Sequence, residues 1–298
     1  MSRLIQYLPL TALLVACGDP IKHVELIEEP RVLAARAEVM GDEERATPNP
    51  GETVRLRWLV AAPEGDPPSG FSLEACAIPE HAHGFVSCAD APFARGAGDA
   101  SQANPEFSFT LPADWDAEAQ PRVAVLGNLC ANGAGAETGC ATGVALPVSF
   151  DSFLAGAERT NMNPNIPAEA IALDGVTWPS GDMPSGACSG LGLPEISLGG
   201  GQHQIQISLP DSVREALPRH SSVDAAREEL RISHFSSLGE LERPFSEILP
   251  EETAVSASVG WKPPKSAAPD GELVRFWFVV RDLRGGSDFT ERALCLLP

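Results

Sequence analysis

The chain has 298 residues, a formal net charge of −20, and 27 prolines and 27 glycines. This length holds two domains of ordinary size. The acidity repels phosphate backbones and excludes a nucleic-acid partner, and the density of turn formers leaves little room for long helices.

The first element is an export signal. Arg3 supplies a positive start, residues 4–16 are mostly apolar, and Leu14-Val15-Ala16-Cys17 closes the stretch. Small residues before a cleavage point suit a signal peptidase, and the apolar run is shorter than the ~20 residues a spanning helix needs. Leu-Val-Ala-Cys resembles the lipobox of bacterial lipoproteins. That resemblance implies removal of residues 1–16, acylation of Cys17 and attachment to the membrane through the lipid. Gly18 at the second mature position points to the outer membrane. Residues 17–30 then read as the lipidated cysteine and a short polar tether.

From residue 31 a period of two dominates. Val54, Leu56, Trp58 and Val60 alternate with Thr53, Arg55, Arg57 and Leu59, and Phe107, Phe109 and Leu111 alternate with Glu106, Ser108 and Thr110. Residues 122–126 and 144–150 supply further β-rich runs between turn formers. These predict a first β domain over 31–150. The polar, turn-forming stretch 151–165 reads as a linker, and a second β domain is expected over 166–298. Its clearest strands carry Ile205, Ile207 and Leu209, then Val274, Phe276, Phe278 and Val280. The last run turns through Gly285-Gly286 into residues 289–297 as a hairpin. Residues 222–228 could start a helix on Ser222, but the alternation of Leu230, Ile232 and His234 predicts a strand from about residue 229.

Short strands without intervening helices predict an all-β chain of two β-sandwiches. The opening runs at residues 30–38 and 50–56, with the closing hairpin, resemble uncharacterised bacterial envelope lipoproteins with tandem immunoglobulin-like domains. This implies a fold and carries over no catalytic residue.

With Cys17 acylated, Cys76, Cys88, Cys130, Cys140, Cys188 and Cys295 remain, an even set in an oxidising compartment, which reads as disulfides. Adjacency in sequence predicts Cys76–Cys88, Cys130–Cys140 and Cys188–Cys295. The alternative chemistry lies in Cys76-Ala-Ile-Pro-Glu-His81-Ala-His83-Gly-Phe-Val-Ser-Cys88, where two thiolates and two imidazoles could close a tetrahedral metal site. No cofactor is otherwise indicated. The Gly-rich segment between Cys130 and Cys140 lacks the Gly-Lys-Ser/Thr ending of a phosphate loop, and Gly199-Gly200-Gly201 reads as a turn. Ser185 and Ser189 lack a nucleophile-elbow context. His220 and His234 have Asp and Ser nearby only in sequence. Asp114 and Asp116 flank Trp115, a candidate exposed aromatic, while Trp178 and Trp261 are expected to pack. The reading is a non-enzymatic, lipid-anchored envelope protein that presents a sandwich surface to a protein or glycan partner. The alternative is a metal-binding lipoprotein using Cys76, His81, His83 and Cys88.

Overall fold

The computed structural model describes residues 23–63, 68–78, 87–98, 105–116, 122–131, 144–153, 160–180, 188, 191–216 and 227–298, with backbone alone at 68–69, 131 and 144–153. Among these residues the chain is all-β, with one 3₁₀ turn at Asp211–Val213. The N-terminal half holds β1 (Arg31–Val39), β2 (Thr53–Ala61), β3 (Pro68–Ala77), β4 (Ala94–Gly98), β5 (Glu106–Thr110), β6 (Arg122–Ala131) and β7 (Val144–Phe153). One sheet has the order β1-β2-β5 and the other β4-β3-β6-β7. Between them lies a core that includes Val54, Leu56, Trp58, Val60, Leu73, Phe107, Phe109, Val123 and Val125. The alternating residues of β2 and β5 are therefore the ones that face the second sheet.

The C-terminal half holds β8 (Ile171–Leu173), β9 (Val176–Thr177), β10 (Glu195–Ser197), β11 (His203–Ser208), β12 (Leu230–Ser236), β13 (Glu240–Leu241), β14 (Phe245–Ile248), β15 (Ser256–Lys262), β16 (Glu272–Arg281) and β17 (Ser287–Leu297). Its sheets run β10-β17-β16-β12-β14 and β13-β15-β11-β8-β9. Trp178 and Trp261 are fully buried between them and meet Phe276 edge-on at 5.0 and 5.2 Å. The expected hairpin is the β16–β17 pair, in register from Glu272↔Leu296 to Arg281↔Ser287.

The two halves share a contact that is apolar at one end and ionic at the other. Leu33, Ala34, Leu59 and Ala61 pack against Trp277 and Val279, with Phe235 and Phe289 at the margin. Farther along the same face of β1 and β2, Glu38 accepts hydrogen bonds from Arg36, Arg55 and Arg57, and Arg36 also pairs with Asp288 at 2.9 Å. As the end strand of its sheet, β1 has carbonyls without a strand partner on its outer edge. Those of Leu33, Ala35 and Ala37 accept instead from Arg281 Nη2, Ser287 Oγ and Asn163 Nδ2, at 2.5, 2.5 and 2.6 Å. Side chains of the C-terminal half thus cover an edge that would otherwise pair with another chain.

Two expected boundaries move. The tether does not extend to residue 30: Leu26 bridges Ser236 in parallel, and Ile27, 1% exposed, joins the apolar contact between the halves. The linker begins later, because β7 runs to Phe153, and its far end is built into the fold. Asn161 and Asn163 are buried, and Asn163 Oδ1 accepts from the Ser287 N–H at 3.1 Å. The Asn163 amide thus pairs with backbone groups of β1 and β17, and Asn161 Nδ2 donates to the Asp282 carboxylate at 2.9 Å.

Candidate functional site

The outer face of the sheet β4-β3-β6-β7 carries a groove of about 460 Å³. Cross-strand register assembles it, with Glu74 opposite Arg95, and Ser72 opposite Asn128. The carboxylate of Glu74 and the guanidinium of Arg95 are 3.6 Å apart, both partly exposed. Glycine makes the floor. Gly127 adopts φ +144°, and a Cβ there would lie 2.1 Å from the Ser72 carbonyl oxygen, so the β3 and β6 backbones approach as only glycine permits. At Gly96 a Cβ would lie 2.6 Å from the ring of Phe107, so the core aromatic fills the space beneath.

A disulfide flanks the groove. Cys76 and Cys88 are bonded, and with Ile78 and Ala124 they form a small cluster on this face, beside Leu126. Glu74 Oε1 lies 3.8 Å from Cys88 Sγ. The bridge consumes both thiolates, so a four-ligand metal site would require its reduction. His81 and His83 lie outside the described residues. A carboxylate, a guanidinium, an amide and a hydroxyl, with Leu126 and Ala97 among them over a backbone floor, form a mixed surface that offers hydrogen bonds beside apolar contact.

The sequence matches no protein-family profile and no curated protein. Among solved structures, Salmonella alpha-2-macroglobulin reacted with methylamine aligns over 91% of this chain and 15% of its own, at 12% identity and a TM-score of 0.25. Trypsin-activated alpha-2-macroglobulin from Escherichia coli aligns over 90% of this chain and 18% of its own, at 9% identity and a TM-score of 0.24. The chain thus spans less than a fifth of the length of either protein.

The remaining candidates fall at separate places. Cys188 and Cys295 form a disulfide, and Cys130 is disulfide-bonded, while its expected partner Cys140 lies outside the described residues. Cys17, Ser185, Ser189 and His220 also lie outside them. His234 is fully buried against Phe278, with Nε2 3.0 Å from Ser246 Oγ, and burial pushes its imidazole down to about 3, so it is neutral. Trp115 is partly buried and meets Phe93 edge-on at 5.4 Å, so it seals the first core. Asp114 and Asp116 are exposed beside it. Gly199 and Gly201, both at φ +87°, make the expected turn.

Sequence reasoning missed a buried carboxylate cluster at the ionic end of the contact between the halves. Glu228, 2% exposed, pairs with Arg284 and accepts from the Glu215 N–H at 3.0 Å. Arg284 also approaches Glu215 at 3.5 Å. Asp282, 3% exposed, accepts from Asn161, and from the N–H groups of Arg284 and Gly286. Burial pushes Glu228 up to about 7, the backbone hydrogen bond from Glu215 opposes this, and the charge of Asp282 adds to it. A carboxyl raised on folding stabilises fully below its unfolded value of 4.5 and loses that contribution as pH rises through 7. Urea unfolding should therefore show a loss of about 3 kcal/mol between pH 4.5 and 7.5 from this group. Glu228→Gln, which stays neutral throughout, should flatten that part of the profile.

Proposed function

We propose that this chain is a non-enzymatic, lipid-anchored envelope protein whose four-stranded sheet presents its outer face to a protein or glycan partner. Cys17 carries the acyl chains, Gly18 directs passage to the outer membrane, and two tandem immunoglobulin-like sandwiches follow. The strand orders β1-β2-β5 and β4-β3-β6-β7 around one core support that reading of the first sandwich, since consecutive strands cross between its two sheets. The two five-stranded sheets around a second core support that of the other.

The observation that carries the binding role is the groove lined by Ser72, Glu74, Arg95 and Asn128. Its paired charges are exposed and its floor is fixed, so a ligand finds a preformed surface. The test is photo-crosslinking in intact envelopes, with the reactive side chain at Asn128, or at the exposed Val176 in the C-terminal half as control. A discrete adduct is expected at 128 alone, lost in Arg95→Glu. The same variant should weaken binding by about tenfold or more if an envelope glycan is the partner. Equal adducts at both positions, or indifference to Arg95→Glu, would sink the groove as the binding surface. Zinc or copper bound once Cys76 and Cys88 are reduced, and lost in His81→Ala/His83→Ala, would favour the metal-binding alternative instead.

A further inference from the structure

The chain is pinned to its folded body almost as soon as the described residues begin. The Ile27 N–H donates to the Ser236 carbonyl and the Ser236 N–H to the Glu25 carbonyl, each at 2.9 Å. Ile27 is buried among Leu33, Leu59 and Trp277, and the Arg31 guanidinium lies 5.3 Å from the centre of the Phe235 ring. This segment therefore ends any spacer at about residue 23.

Six residue steps separate Cys17 from His23. Even fully extended, they span at most about 22 Å. A lipid on Cys17 is thus leashed close to one end of the C-terminal half, where β12 stops at Ser236. From there the chain turns through residues 237–239 into β13, whose Glu240 is opposite the exposed Lys262. Lys265 follows, also exposed, and Val24 is 59% exposed beside the pinned segment. The protein's only lysines are Lys22, Lys262 and Lys265. The first lies in the leash and the other two at the end of the fold to which it leads. Glu28 and Glu29 of the pinned segment and Glu240 and Glu242 of the β13 region are also exposed, so the end is mixed in charge. An apolar residue and flexible ammonium groups on such an end suit a headgroup layer.

We propose that the bilayer lies against this end, so that the protein is held in one orientation instead of swinging on a tether. His23, Val24, residues 238–239 and Lys262 to Lys265 form the lipid-facing surface. The opposite end of the same sheet, marked by Leu230↔Ile248 and the loop after β14, points away. This rests on the acylation of Cys17 proposed above.

The test uses the full acylated protein inserted from outside into vesicles of phosphatidylethanolamine and phosphatidylglycerol. It carries Glu251→Lys as an amine reporter in the exposed loop at the far end. A membrane-impermeant amine reagent then labels the surface, and peptide masses give a rate at each lysine. Labelling at Lys262 and Lys265, relative to the reporter, should rise at least about fivefold when a flexible Gly/Ser insertion of about fifteen residues separates Lys22 from His23. Equal relative rates with and without the insertion would overturn the orientation while the mass of an acylated Cys17 peptide keeps the anchor. An unacylated Cys17 would overturn the anchor and the orientation together.

Discussion

Glu38→Gln should destabilise the protein by about 3 kcal/mol, the lower end of the range for removing one partner of a buried ion pair. The carboxylate of Glu38 is 4% exposed and accepts from Arg36 Nε, from Arg55 Nε and Nη2, and from Arg57 Nε and Nη2, at 2.6–3.0 Å. Its loss leaves three guanidinium groups facing one another. Arg55 and Arg57 retain about a third of their side-chain exposure and can turn toward water, whereas Arg36 is held at 10% exposure by Asp288 and the carbonyl of Pro164. That difference places the cost at the low end. Urea unfolding followed by tryptophan fluorescence measures it, and an unchanged m-value assigns the loss to the folded contact. A cost below about 0.5 kcal/mol would mean that the cluster is no stronger than a surface ion pair.

The same residue sets the acid limb of stability. Burial pushes Glu38 up, but hydrogen bonds and charge from Arg57 and Arg55 prevail and hold its carboxyl below the usual value. A depressed carboxyl stabilises above its unfolded value and loses that contribution as pH falls through its folded value. Glu52, held down to about 2 chiefly by Arg45, acts in the same sense. Glu228 acts in the opposite one, so stability should pass through a maximum on the mildly acidic side of neutrality.

Replacing both Cys188 and Cys295 by alanine should cost about 5 kcal/mol, against about 3 for Cys76 and Cys88, on the loop-closure account of disulfide stabilisation. The bridges span 107 and 12 residues of sequence. The longer one confines more of the unfolded chain. It also adjoins β10, a three-residue parallel strand whose one partner among the described residues is β17, where Glu195 is opposite Cys295. Amide exchange should accelerate first at Ile196 and Leu198 in the Cys188→Ala/Cys295→Ala variant, while the core of β16 stays protected. Equal costs for the two bridges would contradict the loop-length argument.

The carboxylate cluster around Glu228 shows why part of this molecule was not legible in one dimension. Glu215, Glu228, Asp282 and Arg284 are spread over some seventy residues of an acidic chain, and nothing in their spacing distinguishes them from solvated charges. The groove was half legible. The run from Cys76 to Cys88 is distinctive in sequence for its thiols and imidazoles, but Ser72, Glu74, Arg95 and Asn128 come together only through the pairing of β3 with β4 and β6.

By itself, the sequence determined the strands whose apolar residues alternate most regularly, while β3, β4 and β15 carried no such signal. Period-two burial is a local property, so Val54 to Val60, Phe107 to Phe109 and the β16–β17 hairpin could be read before any partner was known. Order along the chain likewise predicted two of the disulfides, one closing 12 residues and the other joining Cys188 to the last cysteine, 107 residues away. The tertiary structure alone decided what covers the second face of those strands. Arg55, Arg57 and Leu59 alternate with the apolar face of β2, yet Leu59 is fully buried and both arginines are ion-paired. In β16 the residues between the core positions, Trp277 and Val279, are as buried as the core itself. The same holds for Ile27, Asn161 and Asn163, which sequence assigned to tether and linker. Alternation reports which residues share a face. Whether that face meets water or a distant segment depends on long-range packing, which no local pattern encodes.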